Sequence, residues 1–331
     1  MDAESVTESR WRKWLAVMSA GLCVVVAMCL VIQPDWLAAL ILVPAWCWLI
    51  PGLAMLCLGM TAIRPVVSCL ILVGWVAFIA VFVEEAWSLI RLSDRPAVHR
   101  EDAPANLDSV RVVTLNCAGD IDSVNEALAF NPNIILLQES PGRQQLQQLL
   151  NSKTDPGFLA HGMDTSIIVI GEMASAEIAS HSHFMLVTTV SPSGRRVGVV
   201  STRLAPPIVR VDFWTPRFWR EHRDKRVVHR EQVHEILDAV NRIADTDGVI
   251  VGGDFNAPPN DDALAPLGER LLDTFSLAGV GWGCTGTNEY PLFRVDQIWT
   301  DRSFEVESAA AFKTVHSDHR MVVCDLIGNQ R

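Results

Sequence analysis

The sequence predicts an α/β (α+β) domain preceded by an all-α region of three transmembrane helices. Two observations carry this prediction. Long apolar runs are confined to the part of the chain before residue 84, whereas after residue 109 short apolar strands alternate with helical segments and end in polar residues. The chain has 331 residues, half of them hydrophobic, and a formal net charge of −11. The chain is longer than one small domain, and its apolar fraction is higher than is usual for a wholly soluble protein.

The apolar runs lie at about 15–32, 36–60 and 65–83, after a short amino-terminal segment, 1–14. The first and third hold 18 and 19 residues without a charge, close to the ~20 residues that cross a bilayer as a helix. Pro44 and Pro51 interrupt the middle run, which could instead be re-entrant. Because the first run follows basic residues, a cleaved signal peptide is its alternative.

The basic residues near the helix ends predict the orientation. Arg10, Arg12 and Lys13 precede the first helix and Arg64 lies in the second loop, so the amino terminus and that loop are expected on the cytoplasmic side. Three crossings then place everything after Val83 outside. We therefore expect an integral protein of a bacterial inner or cell membrane, with its domain on the outer (periplasmic or extracytoplasmic) face.

After a predicted linker, 84–109, the domain is expected to span 110–327. It opens with a strand over 110–115, a helix over about 121–130 in which Asp122 or Ser123 caps the start, and a strand over 134–137. Asn116 and Glu139 follow the two strands. A glutamate directly after a buried strand must be paired, hydrated or bound to a cation, and a solvated strand end is an equally good interpretation of it alone.

The middle of the domain is predicted to contain a helix over 143–150 and strands over 166–170, 184–190 and 197–201. The last two strands are joined by the turn sequence Ser-Pro-Ser-Gly, and Arg203 follows them. A longer helix is expected over about 225–243.

Residues 203–230 carry eight basic side chains against three acidic ones, with aromatic residues between them. Such a segment can collect phosphate-bearing substrates, or lie on anionic lipid headgroups. A solvated helix whose arginines pair with Glu221, Asp224 and Glu231 is the simpler alternative.

The stretch Val249 to Asn256, VIVGGDFN, is the clearest chemical signal. Asp254 and Asn256 leave a buried strand at positions i and i+2, on the same side of an extended chain. The two glycines before them permit the close approach of another backbone or a ligand. An Asx turn after a core strand is the alternative.

Two further apolar strands carry polar groups. Asp296 interrupts the predicted strand 293–300, FRVDQIWT, and Asp318 and His319 precede a closing strand over 321–326. Several acids with one or two histidines favour a hard cation, Mg²⁺ or Mn²⁺. The cysteines contain no CxxC spacing and predict neither a disulfide framework nor a zinc site.

In their order, TLNC, LLQE, GGDFN, RVDQIW and SDHR resemble the motifs of the endonuclease/exonuclease/phosphatase superfamily over about residues 110–327. The resemblance implies a two-sheet α/β sandwich flanked by helices, with the site at one end. It further implies metal ligation by Glu139, Asn116 and Asp318, and handling of water and phosphate by Asp254 and Asn256. His319 would contact the phosphate, and Asp296 would orient it.

The chain departs from the family pattern at two positions. Arg203 stands where many members have a histidine, and it can hold a phosphate with its guanidinium but cannot donate a proton at neutral pH. Gln297 stands where an aromatic residue or histidine is frequent. We predict Arg203 and Arg294 as substrate-binding residues, and the two departures make the substrate harder to predict than the reaction class.

The expected function is a membrane-anchored, Mg²⁺- or Mn²⁺-dependent phosphoesterase. Its substrate is a phosphate ester, whether lipid, small phosphodiester or nucleic acid, and its other partner is membrane lipid around the three helices; no protein partner is implied. A nuclease is the first alternative, although from residue 92 onward 22 basic and 32 acidic residues give a net charge of −10, which disfavours DNA. A catalytically silent binding or scaffold domain is the alternative of another class.

Overall fold

The computed structural model describes residues 3–93, 109–154, 156–171, 175–191, 193–208, 210, 212–243 and 246–329. The chain forms two compact units. One contains residues 1–87 together with 212–223, and the other contains residues 88–211 together with 224–331.

The first unit is helical. Three stretches are long and apolar enough to cross a membrane, Arg10–Ile32, Ala45–Ala62 and Pro65–Phe82. The α-helices in this part of the chain are α1 Ala3–Ile32, α2 Ala38–Ile41, α3 Leu49–Gly59, α4 Pro65–Phe82 and α5 Glu84–Ile90.

The predicted middle helix, 36–60, is not continuous. A 3-10 turn and α2 occupy its first part, and a second 3-10 turn, Ala45–Trp48, leads into α3. Pro44 precedes that turn with ψ 136°. Because proline lacks an N–H and disfavours helix at the residue before it, α2 ends before it, at Ile41. Pro51 lies in the first turn of α3, where a proline costs little.

Polar groups inside the apolar unit pair with one another. The indole N–H of Trp75 donates to Ser19 Oγ at 3.0 Å, and that hydroxyl donates to the Gly52 carbonyl at 2.7 Å. A side chain at position 52 would overlap the Trp75 ring. Small residues and satisfied polar groups of this kind let apolar helices pack closely in lipid.

The predicted linker, 84–109, begins as ordered structure. Helix α5 is followed by a 3-10 turn, Arg91–Ser93, and residues 94–108 lie outside the described residues. The Arg91 guanidinium donates to the carbonyl oxygens of Phe275, Ser276 and Gly279. The second unit therefore includes the end of α5.

The second unit contains two mixed β-sheets. One has the strand order β10-β12-β13-β1-β2-β4-β3 and the other β5-β6-β7-β8-β11-β9. Their strands are β1 Ser109–Asn116, β2 Ile134–Gln138, β3 Gly157–His161, β4 Thr165–Ile170, β5 Ser175–Ser180, β6 Phe184–Val190, β7 Arg196–Arg203, β8 Gly248–Asp254, β9 Leu272–Asp273, β10 Gly279–Val280, β11 Asp296–Thr300, β12 Phe304–Phe312 and β13 Met321–Gly328. The helices are α6 Ile121–Leu128, α7 Arg143–Asn151, α8 Pro216–Asn241, α9 Ala265–Gly268 and α10 Thr274–Ala278.

The two sheets pack face to face and are flanked by helices. Buried side chains from both sheets, among them Val112, Leu136, Val199 and Ile250, form the central core. A second apolar layer joins the outer face of the first sheet to α6 and α7, and a third joins the second sheet to α8. The predicted two-sheet sandwich is confirmed.

Strand register brings the polar strand ends to one edge of the sandwich. The parallel pair β1 and β2 aligns Asn116 with Gln138, one residue before Glu139. The parallel pair β7 and β8 aligns Arg203 with Asp254, and antiparallel β11 aligns Asp296 with Asp254. The carboxyl ends of β1, β2, β7 and β8 and the amino end of antiparallel β11 therefore meet at this edge with their predicted site residues.

Several local predictions need correction. Helix α6 is capped by Asp120, whose side chain accepts from the Asp122 N–H at 2.9 Å, and not by Asp122 or Ser123. Asp296 is the first residue of β11 and does not interrupt a strand. Helix α8 begins nine residues before the predicted start, at Pro216. Strands β3, β5 and β12 were not predicted because turn signals and exposed polar residues obscure their apolar pattern.

Candidate active site

The GDFN segment forms both a turn and part of the site. Asp254 Oδ1 accepts from the Asn256 backbone N–H at 3.0 Å, which is an Asx turn, and Asn256 Nδ2 donates to the Leu204 carbonyl at 2.8 Å. Asn256 has φ +49°, an uncommon conformation for a non-glycine residue. Gly253 has φ +151°, and a Cβ there would lie 1.8 Å from the Thr202 carbonyl oxygen. The turn thus fixes Asp254 against its neighbours.

Asp254, Asp296 and His319 form what we call the buried half of the site. One ligand atom from each lies within 4.8 Å of the others, and the two carboxylates are almost fully buried. His319 Nδ1 lies 2.8 Å from Asp296 Oδ2, which leaves Nε2 for a substrate. The other oxygen of Asp296, Oδ1, is buried without a hydrogen bond.

Burial and the neighbouring charges in the buried half shift the pKa values of Asp254 and His319. Burial, and then the neighbouring Asp296, raises the pKa of Asp254 to about 7. Burial opposes a charge on His319, but the Asp296 carboxylate outweighs it and raises the pKa of His319 to about 10. At neutral pH the imidazole is therefore protonated and paired with Asp296.

Glu139, Asn116, Arg203 and Asp164 form the open half. Arg203 Nη2 lies 2.6 Å from Glu139 Oε1 and its Nη1 lies 3.1 Å from Asp164 Oδ2. Asn116 Nδ2 donates to Glu139 Oε1 at 3.0 Å and to Asp254 Oδ2 at 3.2 Å, so it joins the two halves. The Glu139 side chain is 38% exposed and that of Asp254 is 1% exposed.

The backbone of the open half is held in a specific conformation. Glu139 has φ +42° and Ala118 has φ +49°, values that cost free energy and cluster at functional sites. The Glu139 carbonyl accepts from Gly119 N at 2.9 Å, and the Asn116 side-chain oxygen accepts from Ala118 N at 3.1 Å. These bonds fix the turn from which the Glu139 carboxylate projects.

The segment before β13 supplies a second link between the halves. Ser317 Oγ donates to the Asn116 carbonyl at 2.6 Å and accepts from the His319 N–H at 3.0 Å. Asp318, predicted as a metal ligand, is exposed, and its carboxylate contributes to the raised pKa of His319. The geometry thus brings His319 into the site directly and Asp318 to its edge.

Arg294 lies apart from the other predicted residues. Its guanidinium is buried against Asp273, with Nη1 3.0 Å from Oδ1, and it lies over the Phe275 ring at 5.2 Å. A forked, buried pair of this kind orders the chain before β11. The Arg294 guanidinium is therefore engaged by the Asp273 carboxylate, and its predicted substrate role stays a prediction.

The Gln297 side chain is hydrogen-bonded at both ends to neighbouring residues. Its Nε2 donates to the Ala257 carbonyl at 2.8 Å, and its Oε1 accepts from the Trp299 indole at 2.9 Å. It therefore braces the loop that follows GDFN. Thr285 Oγ1 accepts from the Asp296 N–H at 3.0 Å.

Much of the basic segment 203–230 is paired with acids. Arg226 is 2% exposed and contacts Asp261 at 2.8 Å, and Arg230 contacts Asp262 at 2.9 Å. Arg217 pairs with Glu221 on the same helix. Of the predicted partners, Glu221 is thus found with Arg217, whereas Arg226 and Arg230 pair with Asp261 and Asp262, which lie after β8. Residues 212–223, with exposed Phe213 and Trp214, belong to the helical unit.

Asp164 and Ser317 were not predicted as site residues. Asp164 precedes β4 in a short turn, and only the fold brings it to Arg203. Ser317 is part of the SDHR motif, so its position next to Asp318 was the available clue.

The donor set fits a hard divalent cation. The carboxylates of Glu139 and Asp254 are groups that Mg²⁺ and Mn²⁺ prefer. Asn116 turns its Nδ2 towards both carboxylates and its oxygen towards the Ala118 N–H, so its amide must rotate before the oxygen can bind a cation. The unpaired buried oxygen of Asp296 is an acceptor that a cation or an ordered water satisfies. Arg203 already neutralises part of this charge at Glu139.

Comparisons with known proteins agree with this fold. Residues 113–319 match the model of the Endonuclease/Exonuclease/phosphatase family. The chain belongs to this family, which confirms the resemblance seen in the motifs. No curated protein sequence matches the chain.

Solved structures show the same fold. An endonuclease/exonuclease/phosphatase from Bacteroides vulgatus has a TM-score of 0.52 at 16% identity, over 67% of this chain and 99% of that chain. D. rerio TDP2 with 14 humanizing mutations has a TM-score of 0.51 at 17% identity, over 67% of this chain and 100% of that chain. A protein of the same description from Beutenbergia cavernae has a TM-score of 0.50 at 18% identity, over 67% and 72%. At these identities the likeness establishes the fold.

Proposed function

We propose that the second unit is a divalent-metal-dependent phosphoesterase that hydrolyses its substrate by attack of water. The observation that carries the proposal is the convergence of Asn116, Glu139, Asp254, Asn256, Asp296 and His319 at one edge of the sandwich. Oxygen ligands, a carboxylate of raised pKa and a protonated imidazole are the three kinds of group that hydrolysis of a phosphate ester uses.

Each residue has a distinct task in this proposal. Glu139 and Asn116, with Asp318 at the edge, would hold Mg²⁺ or Mn²⁺, which supplies neutralisation of phosphoryl oxygens when bound. Asp254, whose pKa is raised to about 7, orients and deprotonates the attacking water. His319, kept protonated by Asp296, stabilises charge as it develops on the phosphoryl oxygens.

We further propose that the enzyme acts at the membrane. Three stretches of the helical unit are long and apolar enough to span a bilayer, and the basic residues Arg10, Arg12, Lys13 and Arg64 favour an outward-facing catalytic unit. A domain held at the bilayer surface meets phospholipids, which are phosphodiesters, at high local concentration. Its net negative charge disfavours a nuclease, the second candidate.

The test is hydrolysis of a generic phosphodiester by the full chain in detergent, with Mg²⁺, with Mn²⁺ and with EDTA. We expect metal-dependent turnover, and we expect Glu139→Ala to lower kcat/KM by about 10²-fold or more. Glu269→Ala removes an exposed carboxylate beside α9 and should retain full activity.

Turnover that persists in EDTA, or that Glu139→Ala leaves unchanged, contradicts the proposal. No turnover of any phosphate ester by the folded wild type would favour the silent binding domain. Comparing phospholipid vesicles with soluble phosphodiesters and with single-stranded DNA then distinguishes the substrate classes.

A further inference from the structure

A second group of metal-binding side chains lies outside the active site. His181 and His183 stand in the connection between β5 and β6, and Glu235 projects from α8. His181 Nδ1 lies 3.0 Å from His183 Nδ1, and Glu235 Oε2 lies 3.4 Å from His183 Nε2 and 3.8 Å from His181 Nδ1. His183 thus faces His181 through Nδ1 and Glu235 through Nε2, and one ligand atom from each of the three side chains lies within 4.8 Å of the others.

One nitrogen in this group, His183 Nε2, is buried and faces the Glu235 carboxylate at 3.4 Å, beyond a normal hydrogen bond. His183 is 5% exposed, and its Nε2 makes no hydrogen bond. A buried polar atom left unsatisfied is costly and calls for an explanation, such as a bound ion. Burial also lowers the pKa of His183, against the opposing effect of Glu235, so the ring is in the neutral form that binds metals.

The rings are also held in place. His181 stacks on Phe184 with ring centroids 5.4 Å apart and an interplanar angle of 10°, and His183 meets the edge of the same ring at 5.1 Å. Phe184 belongs to the apolar layer that includes α8. Supported side chains of this kind keep ligand atoms in place before an ion binds.

The separations suit an ion of the zinc class. Bonds of about 2.0–2.2 Å from a tetrahedral ion put its ligand atoms roughly 3.3–3.6 Å apart. The 3.4 Å from His183 to Glu235 falls in this range, and the 3.8 Å from His181 to Glu235 needs a shift of a few tenths of an ångström. Imidazole ligands favour zinc and its neighbours, whereas Mg²⁺ favours all-oxygen sites.

We propose that His181, His183 and Glu235 form a binding site for a divalent transition-metal ion of the zinc class, separate from the active site. The side chains of His181 and Glu235 are 51% and 53% exposed, so the ion has an open side for water. Bound there, it joins the start of β6 to α8.

The site is connected to the active site through the backbone. The His183 carbonyl accepts from the Arg203 N–H at 2.9 Å and from Thr202 Oγ1 at 2.9 Å. Arg203 is the residue whose guanidinium contacts Glu139. An ion at His183 therefore stabilises the strand end that carries Arg203.

The test uses the metal-stripped full chain in detergent and Co²⁺ as a coloured probe for this class of ion. We expect a visible absorption band that saturates at one equivalent, that Zn²⁺ abolishes, and that excess Mg²⁺ leaves in place. His181→Ala and Glu235→Gln should each weaken Co²⁺ binding at least tenfold. Both side chains are half exposed, so these variants should fold.

Two controls separate this site from the others. His234→Ala removes an exposed histidine next to Glu235 on α8, with its Nδ1 on the Arg230 carbonyl, and should leave the band unchanged. Glu139→Ala alters the active site and should also retain it. A band absent from the wild type, retained in His181→Ala and Glu235→Gln, or lost in Glu139→Ala would overturn the proposal. None of these outcomes depends on phosphoesterase activity.

Discussion

The two halves of the active site neutralise their charges in different ways. In the buried half, Asp296 and His319 pair with each other away from water, and Asp254 lies beside them. In the open half, Glu139 and Asp164 share the guanidinium of Arg203 while remaining partly exposed. The difference indicates that the fold itself fixes the buried half, whereas the carboxylates of the open half remain accessible from solvent.

The largest expected loss of activity comes from a variant of the buried half, and added metal ion distinguishes it from a variant of the open half. His319→Gln removes the protonated imidazole and should lower kcat by about 10²–10⁴-fold. Glu139→Gln keeps an oxygen ligand but loses its charge, so it should weaken metal binding more than chemistry. We expect raised Mg²⁺ or Mn²⁺ to restore part of the activity of Glu139→Gln and none of that of His319→Gln. Recovery of both variants would show that the halves act as one metal site.

A smaller effect is expected from Asp296→Asn, which leaves His319 in place without its buried counter-charge. The pKa of His319, raised to about 10 by Asp296 against the effect of burial, should fall. We expect a loss of activity by about 10-fold to 10²-fold, and the variant should lose activity at lower pH than the wild type. Titration of the histidine resonances in the metal-stripped protein measures this shift directly.

The same variant tests the contribution of the pair to stability. A histidine whose folded pKa is raised stabilises the protein below its unfolded pKa of about 6.5, and this stability is lost as pH rises through the folded value. The wild type should therefore lose stability towards pH 10, and Asp296→Asn should lose less over that range. Asp318→Asn, which removes a weaker and exposed charge, should lower the pKa of His319 to a smaller extent. Equal shifts in both variants would contradict a dominant role for Asp296.

Most of this site could be predicted because its residues lie in short ordered motifs at strand ends. The end of an apolar strand such as VIVGGD can be read from the sequence, because polar residues follow it directly. The pairing register of neighbouring strands then brings those ends together. The sequence could not predict Asp164, which reaches Arg203 from the turn before β4. It also could not predict that Arg294 faces Asp273, because pairing between buried charges depends on which elements the fold makes neighbours.

The fold was predictable to a similar degree and for similar reasons. Strands with continuous apolar residues, such as β6 and β8, agree with the predicted ranges, because burial on both faces leaves an unbroken pattern. Strand β12 alternates buried and exposed residues, among them Glu305 and Glu307, so its charges obscured it. The middle transmembrane segment was misplaced because Pro44 stops the helix inside an otherwise continuous apolar run.

Arg203 tests the open half, with an expected effect of intermediate size. Its guanidinium lies on Glu139 and Asp164, so it lowers the negative charge available to a cation. Arg203→Met should therefore tighten Mg²⁺ binding by about tenfold, or roughly 1.4 kcal/mol, while raising KM if the arginine also contacts phosphate. Arg196→Met removes an exposed arginine at the opposite end of β7 and serves as the control. Weaker metal binding in Arg203→Met would show that the arginine organises the ligands rather than competing with the cation.

The smallest expected effect comes from Ser317, whose hydroxyl joins the two halves. It donates to the Asn116 carbonyl and accepts from the His319 N–H, so Ser317→Ala leaves both groups without this partner in a buried place. We expect a loss of about 1–3 kcal/mol in the free energy of unfolding and a fall in kcat of only a few fold, because the charged groups keep their direct contacts. If the halves are independent, metal affinity and the pKa of His319 should both stay at their wild-type values in Ser317→Ala. If metal affinity and the pKa of His319 change together, the Ser317 hydroxyl couples the cation in the open half to the proton in the buried half. The two halves would then differ only in their exposure to solvent.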